Sequence, residues 1–385
     1  MKKLFFDIQI TGHHTEYISH LIDYLKVNED ANEYYFIVHP AFSLKFPIIF
    51  SKANDIKNVT WVEIKNEELK TLQHIGTIKK SFVEYKLMHR YAKRFKVNHV
   101  CLLYFNTFQL ACLFFRPTYT ISGILFLQFY RMSKNTLKEK LKYYRKYFTT
   151  KLYTLNPHIK KIFILNDKQT VSYLNNEFNT KIFEMLPDPI PDLKPLDDFD
   201  IYDYYNIDRK SKIFLHIGAL GNRKGTFEVI ESALFLPKEK QKEITILLVG
   251  CVSNNEIETL MLKKIATSSK NSDVNIVWDN QFVSNAQMKS LFNQCHAVLM
   301  PYKNAEASSG ILGHAVAANK KVIATSGGLL KDLIKENNLG VLIPKVTAKT
   351  IAHALIKNSF KTDVLKRKFI AVRNPRFFAS KLISV

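Results

Sequence analysis

Strand-like and helix-like segments alternate along the whole chain, and this alternation limits the fold more than any other feature of the sequence. Leu4–Ile10 is a short, mainly apolar run, and His14–Val27 follows it with apolar residues spaced to fall on one face of a helix. The same succession continues to Ile182–Leu186. Because parallel strands must be joined by long crossovers, which are usually helices, the pattern predicts an α/β fold with parallel sheets covered on both faces.

A proline-rich acidic segment interrupts the alternation near the middle of the chain. Leu186–Asp200 contains four prolines and several aspartates without a periodic apolar pattern, which indicates a linker, and strand-like runs resume at Ile213–Ile217. A chain of 385 residues is also too long for one core and suits two domains. We therefore predict a Rossmann-like doubly wound domain over residues 1–186, a linker over 187–200 and a second such domain over 201–370.

The strongly positive charge predicts an anionic partner. There are 56 Lys and Arg residues against 34 Asp and Glu, a net charge of +22 at pH 7. Only 10 of those cations are Arg, the residue preferred for bidentate recognition of bases and phosphates, and no nucleic-acid-binding module is recognisable. We therefore expect an anionic small molecule or lipid surface and no nucleic acid, with a nucleic-acid binder as the third alternative.

Several features predict a cytoplasmic protein. The four cysteines show no CxxC pair, which argues against a zinc site or a disulfide framework and favours a reducing compartment. No run approaches the roughly 18 consecutive apolar residues of a membrane span. The first residues are interrupted by Asp7 and lack a cleavage site, so they predict a strand rather than a signal peptide.

A glycine-rich loop follows the first strand of the second domain. Ile217–Thr226 contains Gly218 and two further glycines, which let the backbone approach a ligand, and then Arg223 and Lys224 at the start of a helix. Cations beside backbone N–H donors suit a diphosphate. The alternative is a glycine-capped surface turn whose two cations are solvated.

A second strand-end loop, Met300–Ala317, offers further polar groups. Glu306 precedes a helix start that contains Ser308, Ser309 and Gly310, and His314 lies one to two turns into that helix. We expect Glu306 and His314 to border one pocket together with the Arg223–Lys224 loop. Taken singly, Glu306 also fits a plain helix N-terminal charge, and His314 fits a histidine at the edge of the core.

The loop after the first strand, TGHHTEYISHL, contains Gly12, His13, His14 and Glu16. A histidine there can bind a hydroxyl or a phosphate, whereas adjacent histidines with no third ligand argue against zinc. The alternative is a capped helix start with solvated histidines. The Asp198–Asp200 pair in the linker fits a solvated acidic hinge better than a metal site, so we predict no metal.

These loops resemble those of the GT-B glycosyltransferases, specifically the bacterial family 4-like enzymes, from Ile213 to about Ile343. GALGNRKGT resembles that family's G-x-x-x-x-K-G segment, and Glu306 to His314 overlays its E-x7-E motif with His in place of the second Glu. SSGILGHAVAANKKVIAT resembles the S-G-x-L…A variant of that motif. Residues 371–385 resemble the C-terminal helix that crosses back to the first domain, and the first domain is similar only in its strand–helix order and its Gly12 loop.

The resemblance implies a GT-B fold, with two Rossmann-like domains facing across a cleft. It also implies transfer of a sugar from a nucleoside-diphosphate sugar to a glycan or lipid-linked acceptor, with retention of configuration, no metal and no cofactor beyond that co-substrate. The resemblance further implies a role in the assembly of bacterial surface polysaccharide or glycolipid. Glu306 and His13 are then the catalytic residues, and the donor-binding residues are Gly12, Gly218, Arg223, Lys224, Glu306, Ser308, Ser309, Gly310 and His314.

Two alternatives remain on the same fold. A catalytically degenerate basic scaffold would account for His314 at the position of the second Glu, and a transfer or donor-hydrolysis assay separates it from an enzyme. A nucleotide-sugar epimerase would release products without an acceptor.

A basic helix predicted over Thr136–Tyr153 favours an anionic membrane surface as a further partner. Leu137, Leu141, Tyr144 and Phe148 fall on one helical face, and the surrounding cations are Lys138, Lys142, Arg145 and Lys146. We therefore expect peripheral binding at the inner face of the cell membrane through those four cations. The alternative is a solvated lysine-rich helix whose apolar face packs on the sheet.

Overall fold

The computed structural model describes the chain except for residues 13, 29, 127, 305, 307–308 and 358–364, and except for the side chains of 365–366. The chain forms two compact units. The first unit comprises Met1–Asp188 together with Pro375–Val385, and the second comprises Pro189–Asn374.

The first unit is built on a sheet of seven parallel strands. They are β1 (Lys2–Asp7), β2 (Glu33–Val38), β3 (Val59–Glu63), β4 (His99–Leu102), β5 (Thr120–Leu125), β6 (Ile159–Leu165) and β7 (Phe183–Leu186). Their order in the sheet is β3-β2-β1-β4-β5-β6-β7, so the direction in which strands are added reverses between β1 and β4.

Among the described residues, eight helices connect these strands, and one 3-10 helix follows β4 at Phe105–Thr107. The helices are α1 (His14–Val27), α2 (Phe42–Lys45), α3 (Pro47–Ser51), α4 (Asn66–Lys70), α5 (Thr77–Arg94), α6 (Ala111–Phe114), α7 (Leu137–Thr154) and α8 (Lys168–Glu177). The α1 helix has the predicted limits, and α7 begins and ends one residue later than predicted. The four short helices α2, α3, α4 and α6 lack enough turns to show a helical period in the sequence.

The second unit repeats the same design with six parallel strands. They are β8 (Lys212–Ile217), β9 (Ile244–Val249), β10 (Asn275–Asp279), β11 (Ala297–Met300), β12 (Lys321–Thr325) and β13 (Gly340–Ile343). Their order is β10-β9-β8-β11-β12-β13, and the reversal lies between β8 and β11. Both units therefore have the Rossmann strand order, and the predicted α/β class with two doubly wound domains is confirmed.

Nine helices lie in the described part of the second unit, with 3-10 helices at Asn222–Lys224 and Ser232–Phe235. They are α9 (Ile201–Tyr204), α10 (Thr226–Glu231), α11 (Lys238–Gln241), α12 (Asn255–Asn271), α13 (Asn285–Gln294), α14 (Gly310–Ala317), α15 (Gly328–Asn337), α16 (Ala348–Ile356) and α17 (Leu365–Ala371). Asp200 caps α9, because its carboxylate accepts hydrogen bonds from Tyr202 N and Asp203 N.

Each sheet is covered by apolar cores on both of its faces. In β1, Leu4 and Phe6 join one core and Phe5 joins the other, as the alternation of side chains along a strand requires. In β8, Ile213 and Phe214 likewise lie in the two different cores of the second unit. This two-sided burial explains why the strands read as almost continuous apolar runs.

The last helix, α18 (Pro375–Ile383), packs in the first unit. The Phe378 ring lies 4.7 Å from that of Tyr17 in α1, measured between centroids. Lys3 Nζ donates to the Val385 carbonyl over 3.0 Å, and Lys381 pairs with Glu184 over 2.7 Å. Apolar packing and two cation contacts therefore fix the C-terminal helix to the first sheet.

Within the described residues, no helix combines the length and the apolar character needed to cross a bilayer.

Candidate functional site

The two strand-end loops of the second unit meet at the reversal between β8 and β11. Gly225, with φ at +72°, is so close to the second loop that an added Cβ would lie 2.3 Å from the Pro301 carbonyl oxygen. Lys303 N donates to the Arg223 carbonyl over 3.0 Å. Lys303 Nζ also contacts Asn222 Oδ1 and lies 2.7 Å from Glu228 Oε1. The glycine-rich loop and the loop after β11 therefore form one surface, at the position where doubly wound sheets bind ligands.

A buried histidine holds the glycine-rich loop in place. His216 in β8 has no solvent exposure, and its Nδ1 lies 2.9 Å from the Leu299 carbonyl of β11. Its Nε2 lies 2.9 Å from Thr226 Oγ1, which accepts a hydrogen bond from Gly221 N over 2.9 Å. Since a carbonyl can only accept, Nδ1 carries the proton and Nε2 accepts from Thr226. Burial lowers the pKa of His216 to about 4, so the ring is neutral at pH 7. Sequence reasoning missed this residue, since nothing distinguishes it from other strand residues.

Lys224 lies beneath the loop rather than in solvent. Its side chain is 7% exposed, and its ammonium donates to the Ile217 carbonyl over 3.0 Å and lies 5.3 Å from the Tyr302 ring centroid. A Cβ on Gly218 would be 2.2 Å from Nζ, so glycine at this position makes room for the ammonium. Burial, and then the positive charge of Arg223, lower the pKa of Lys224 to about 8. The alternative of two solvated cations is therefore wrong for Lys224, whereas Arg223 is exposed.

The buried ammonium has unused hydrogen-bonding capacity. An ammonium carries three N–H donors, and Ile217 O is the single acceptor found for Lys224 within the described residues. The Tyr302 hydroxyl beside it is also buried and has no hydrogen-bond partner there. An anion placed over Gly218 would satisfy these groups.

The loop after β11 places Glu306 and Ser309 before α14. Glu306 is half-buried, and its backbone N donates to Asn304 Oδ1 over 3.1 Å. Ser309 occupies the N-cap position and is followed by Gly310, but its side chain makes no capping hydrogen bond. The Ser309 side chain therefore does not cap α14, and Ser308 lies outside the described residues.

His314 lies in the second turn of α14, as predicted, but it faces a packed environment. Its side chain is buried, and its ring stacks on Phe292 of α13 with centroids 5.8 Å apart and planes 20° apart. Phe292 belongs to one of the two cores of the second unit. The structure thus agrees with the alternative interpretation, in which His314 is a histidine at the edge of the core.

In the first unit, α1 begins at His14 as predicted, so His14 and Glu16 lie in the first turn of the helix rather than in the loop before it. Gly12 has a φ of +68° and open space around its Cα, which suits a backbone close to a ligand. His13 lies outside the described residues. The neighbouring His14 pairs with Asp7, the last residue of β1, with 2.7 Å between Nδ1 and Oδ2. The sequence analysis named His14 only as part of the loop. It did not identify Asp7 as a site residue, because an aspartate that directly continues an apolar run gives no sign that it ends a strand at a site.

A cleft of about 220 Å³ opens in the first unit beside that loop. Its walls come from residues 8–11, from His39 after β2 and from the segment around α4 and α5. The polar side chains that line it are Gln9, Thr11, His39, Gln73 and Lys80. Hydroxyl, amide and ammonium groups beside apolar lining side chains suit a hydroxylated ligand.

The apolar residues of the basic helix α7 point to solvent. Leu137, Leu141, Tyr144 and Phe148 are between 53% and 76% exposed, and Leu152 continues the stripe at 49%. The opposite face is packed through Tyr143, Thr150 and Tyr153, which are buried. The alternative in which the apolar stripe packs on the sheet is therefore wrong. Lys138, Lys142 and Arg145 are exposed beside the stripe, and Lys146 is half-buried.

No group of three His, Cys, Asp or Glu side chains placed to hold a metal ion occurs among the residues that the structure describes.

Comparison with known proteins identifies the class of this chain. Residues 199–363 match the family described as glycosyl transferases group 1. The chain has no significant match among curated protein sequences. Three solved structures of similar fold illustrate the likeness, and each aligns with 100% of this chain. A glycosyltransferase from Rickettsia africae is 14% identical over 96% of its own chain, with a TM-score of 0.68.

The second is HepE of Anabaena in complex with UDP and glucose, which is 14% identical over 97% of its chain with a TM-score of 0.63. The third is WaaG, a glycosyltransferase involved in lipopolysaccharide biosynthesis, which is 16% identical over 98% of its chain with a TM-score of 0.64. At such identities the likeness shows the fold, and the family match of residues 199–363 adds the enzyme class, which favours an enzyme over a scaffold. Residues 199–363 thus match the family of glycosyl transferases group 1, and the chain is a glycosyltransferase with the GT-B fold.

Proposed function

We propose that this glycosyltransferase moves a sugar from a nucleoside-diphosphate sugar, held by the second unit, to a glycan or lipid-linked acceptor held by the first. The observation that carries the proposal is the buried Lys224 ammonium, which lies under the glycine-rich loop and has a single acceptor among the described residues. A buried ammonium whose N–H donors lack acceptors is a binding site for an anion. The oxygens of a diphosphate bound over Gly218 would supply those acceptors. HepE was solved with UDP and glucose, which supports a UDP-sugar as donor.

In this proposal the second unit stabilises the leaving group. As the bond between the anomeric carbon and the diphosphate breaks, its electron pair stays on the diphosphate, and Lys224 and Arg223 stabilise that charge. Gly218 lets the diphosphate approach, and Ser308, Ser309 and Gly310 offer backbone N–H groups. Charge stabilisation by these groups takes the place of a metal, and the configuration at the anomeric carbon is retained, as the family resemblance implies.

Glu306 positions the donor sugar in this proposal. It is half-buried in the loop that meets Lys224, and a carboxylate there can accept hydrogen bonds from sugar hydroxyls. His314 is assigned to the nucleotide, since an imidazole can still bond a hydroxyl, although its stacking on Phe292 restricts it. Gly12 and His13 are assigned to the donor phosphate or the acceptor.

Titration calorimetry with nucleotides tests the donor site. UDP, GDP and ADP are each titrated into the wild type and into the Arg223→Ala/Lys224→Ala double variant, with Lys270→Ala, an exposed lysine of α12, as control. Charge-assisted hydrogen bonds are worth roughly 1.5–3 kcal/mol each, so loss of Lys224 alone weakens binding by about ten- to a hundredfold. Unchanged affinity in the double variant would show that the site lies elsewhere.

The exposed stripe of α7 supports a further part of the proposal, peripheral binding to an anionic bilayer. Leu137, Leu141, Tyr144, Phe148 and Leu152 cover roughly 80° of the helix circumference at 3.6 residues per turn. Exposed Lys138, Lys142 and Arg145 border this stripe. Apolar side chains that enter the acyl boundary, beside cations that meet anionic headgroups, are the features of an interfacial helix. The protein would then bind a lipid-linked acceptor at the surface of the membrane that anchors the lipid.

Vesicle sedimentation tests the membrane assignment. Binding is expected with phosphatidylglycerol-containing vesicles, to weaken with salt, and to fall when Lys138, Lys142, Arg145 and Lys146 are changed to Gln. The matched control changes four exposed lysines of the second unit to Gln: Lys238, Lys242, Lys263 and Lys270. Equal recovery with neutral and anionic vesicles, or an equal loss in the control, would remove the assignment.

A further inference from the structure

A tyrosine hydroxyl of the second unit is buried beside the glycine-rich loop without a partner. Tyr302, two residues after the end of β11, is 4% exposed, and its hydroxyl has no hydrogen-bond partner among the described residues. A phenylalanine would fill the same space without the cost of removing a hydroxyl from water. Because buried polar groups are nearly always hydrogen-bonded, this hydroxyl indicates a ligand that the described residues do not supply.

A tight turn after β11 determines where the Tyr302 ring lies. Tyr302 N donates to the Met300 carbonyl over 2.8 Å, so the chain makes a three-residue γ-turn around Pro301. The Pro301 carbonyl lies against the glycine-rich loop, where a Cβ added to Gly225 would be 2.3 Å from its oxygen. Met300, Tyr302 and Leu312 of α14 belong to the same apolar core. The turn and this packing therefore hold the phenol at the base of the glycine-rich loop.

The surroundings of Tyr302 keep its hydroxyl protonated. The Lys224 Nζ lies 5.3 Å from the ring centroid, within the range of a cation–π contact. Burial raises the pKa of Tyr302 to about 12, and the neighbouring Ser309 side chain and the positive charge of Arg223 oppose this rise only in part. The phenol is therefore neutral at pH 7 and can donate a hydrogen bond.

The groups around this hydroxyl also have hydrogen-bond donors to offer. The Lys224 ammonium has three N–H groups and donates to the Ile217 carbonyl alone among the described residues. The Ser309 side chain does not cap α14, so it leaves the first backbone N–H groups of that helix without a side-chain acceptor. A ligand that binds the Tyr302 hydroxyl there must bring several acceptor oxygens and negative charge. A phosphate group has both.

We propose that Tyr302 is a further residue of the sugar-donor site, whose hydroxyl donates a hydrogen bond to a phosphate oxygen of the nucleoside diphosphate. This inference rests on the proposed function and adds an uncharged hydrogen-bond donor to its cations. The electron pair of the breaking bond stays on the diphosphate, so the hydrogen bond strengthens as the sugar leaves. The phenol keeps its proton throughout. Tyr302 thus contributes to turnover as well as to binding.

Calorimetric titration of the Tyr302→Phe variant tests this contact. Phenylalanine keeps the ring beside Lys224 and removes the hydroxyl alone. Affinity for whichever of UDP, GDP and ADP binds the wild type should fall about tenfold, because a hydrogen bond to a charged group is lost. Inorganic diphosphate, measured by displacement of that nucleotide, should weaken by the same factor, since it offers phosphate oxygens without a base or a ribose.

A matched control makes the same chemical change in the first unit. The Tyr153 hydroxyl is also buried and has no hydrogen-bond partner among the described residues. Tyr153→Phe should leave nucleotide affinity unchanged. Thermal unfolding without nucleotide separates a ligand contact from a structural one. Neither variant should unfold at a lower temperature than the wild type, because neither hydroxyl bonds the folded protein.

Three results would overturn the assignment of Tyr302. The first is an affinity of Tyr302→Phe for the nucleotide or for inorganic diphosphate within twofold of the wild type. The second is a lower unfolding temperature of Tyr302→Phe, since the hydroxyl would then bond the protein itself. The third is an equal loss of affinity in Tyr153→Phe, which would attribute the effect to altered packing. Absence of nucleotide binding by the wild type would instead overturn the proposed function.

Discussion

The reversal point of the second sheet presents a cation and bare backbone, whereas that of the first sheet presents an acid–base pair. Lys224 lies under Gly218 in the second unit, and Asp7 and His14 close the corresponding strand end of the first. The two sheets share strand order and differ in the side chains at their carboxyl edges. The same topology thus carries a buried ammonium in one unit and a carboxylate–imidazole pair in the other, because the chemistry at a strand end depends on the loops that the strands support.

The largest expected effect concerns Glu306, the one carboxylate assigned to the cationic site. Glu306→Gln keeps the shape of the side chain and removes its charge, so turnover should fall roughly a hundredfold through misplacement of the sugar while nucleotide affinity stays within about threefold. Glu336→Gln, an exposed change on α15, is the control. His314→Glu should retain activity. Full turnover in Glu306→Gln would show that Glu306 does not position the sugar, so that the contacts proposed for the second unit would be limited to the phosphates.

A pH titration of nucleotide binding examines Lys224 directly. In the free protein its pKa is lowered to about 8, and a bound anion favours the charged form and raises it. Below pH 8 the lysine is charged in both states. Above pH 8 the free protein loses a proton that the complex retains, so affinity should fall by at most about tenfold per pH unit. The Lys224→Arg variant stays charged and should lose this dependence; the same slope there would assign it to another group.

The glycine under the donor loop gives a further contrast with the first unit. In Gly218→Ala, at a φ of +115°, the new methyl would lie 2.2 Å from Lys224 Nζ, so the ammonium must move and UDP affinity should fall about tenfold. Gly76→Ala in the first unit adds a methyl to open space at an ordinary φ of −62° and should leave affinity unchanged. Calorimetric titration of UDP into both variants shows whether nucleotide binding requires the Lys224 ammonium at its present position.

The smallest effect is structural and concerns the hydrogen-bond chain beneath the donor loop. Thr226→Val leaves Gly221 N and His216 Nε2 without their partner, so the free energy of unfolding should fall by about 1–3 kcal/mol. Thr259→Val, an exposed change on α12, should stay within about 0.5 kcal/mol. Urea unfolding followed by fluorescence measures both. Equal free energies of unfolding for the two variants would show that this hydrogen-bond chain does not hold the donor loop in place.

Much of the candidate site was predictable because glycine and lysine at strand ends are rare enough to be informative. The spacing of Gly218, Arg223 and Lys224 predicted an anion-binding loop, and the loop after β11 was expected beside it. The burial of Lys224 and the stacking of His314 on Phe292 were not predictable, since both depend on residues distant in sequence. The apolar stripe of α7 was recognisable in the sequence from the helical spacing of its residues. Which face of the helix packs on the sheet could not be predicted.

The sequence by itself determined the alternation of strands and helices, the two units and the order in which polar loops follow the strands. Those features are local, because apolar periodicity and prolines act over a few residues. Only the tertiary structure decided that the His14 ring turns back onto Asp7 at the end of β1, and that His216 joins β11 to the donor loop. The His216 contact arises because parallel strands bring together segments far apart along the chain, and burial then keeps the His216 ring neutral.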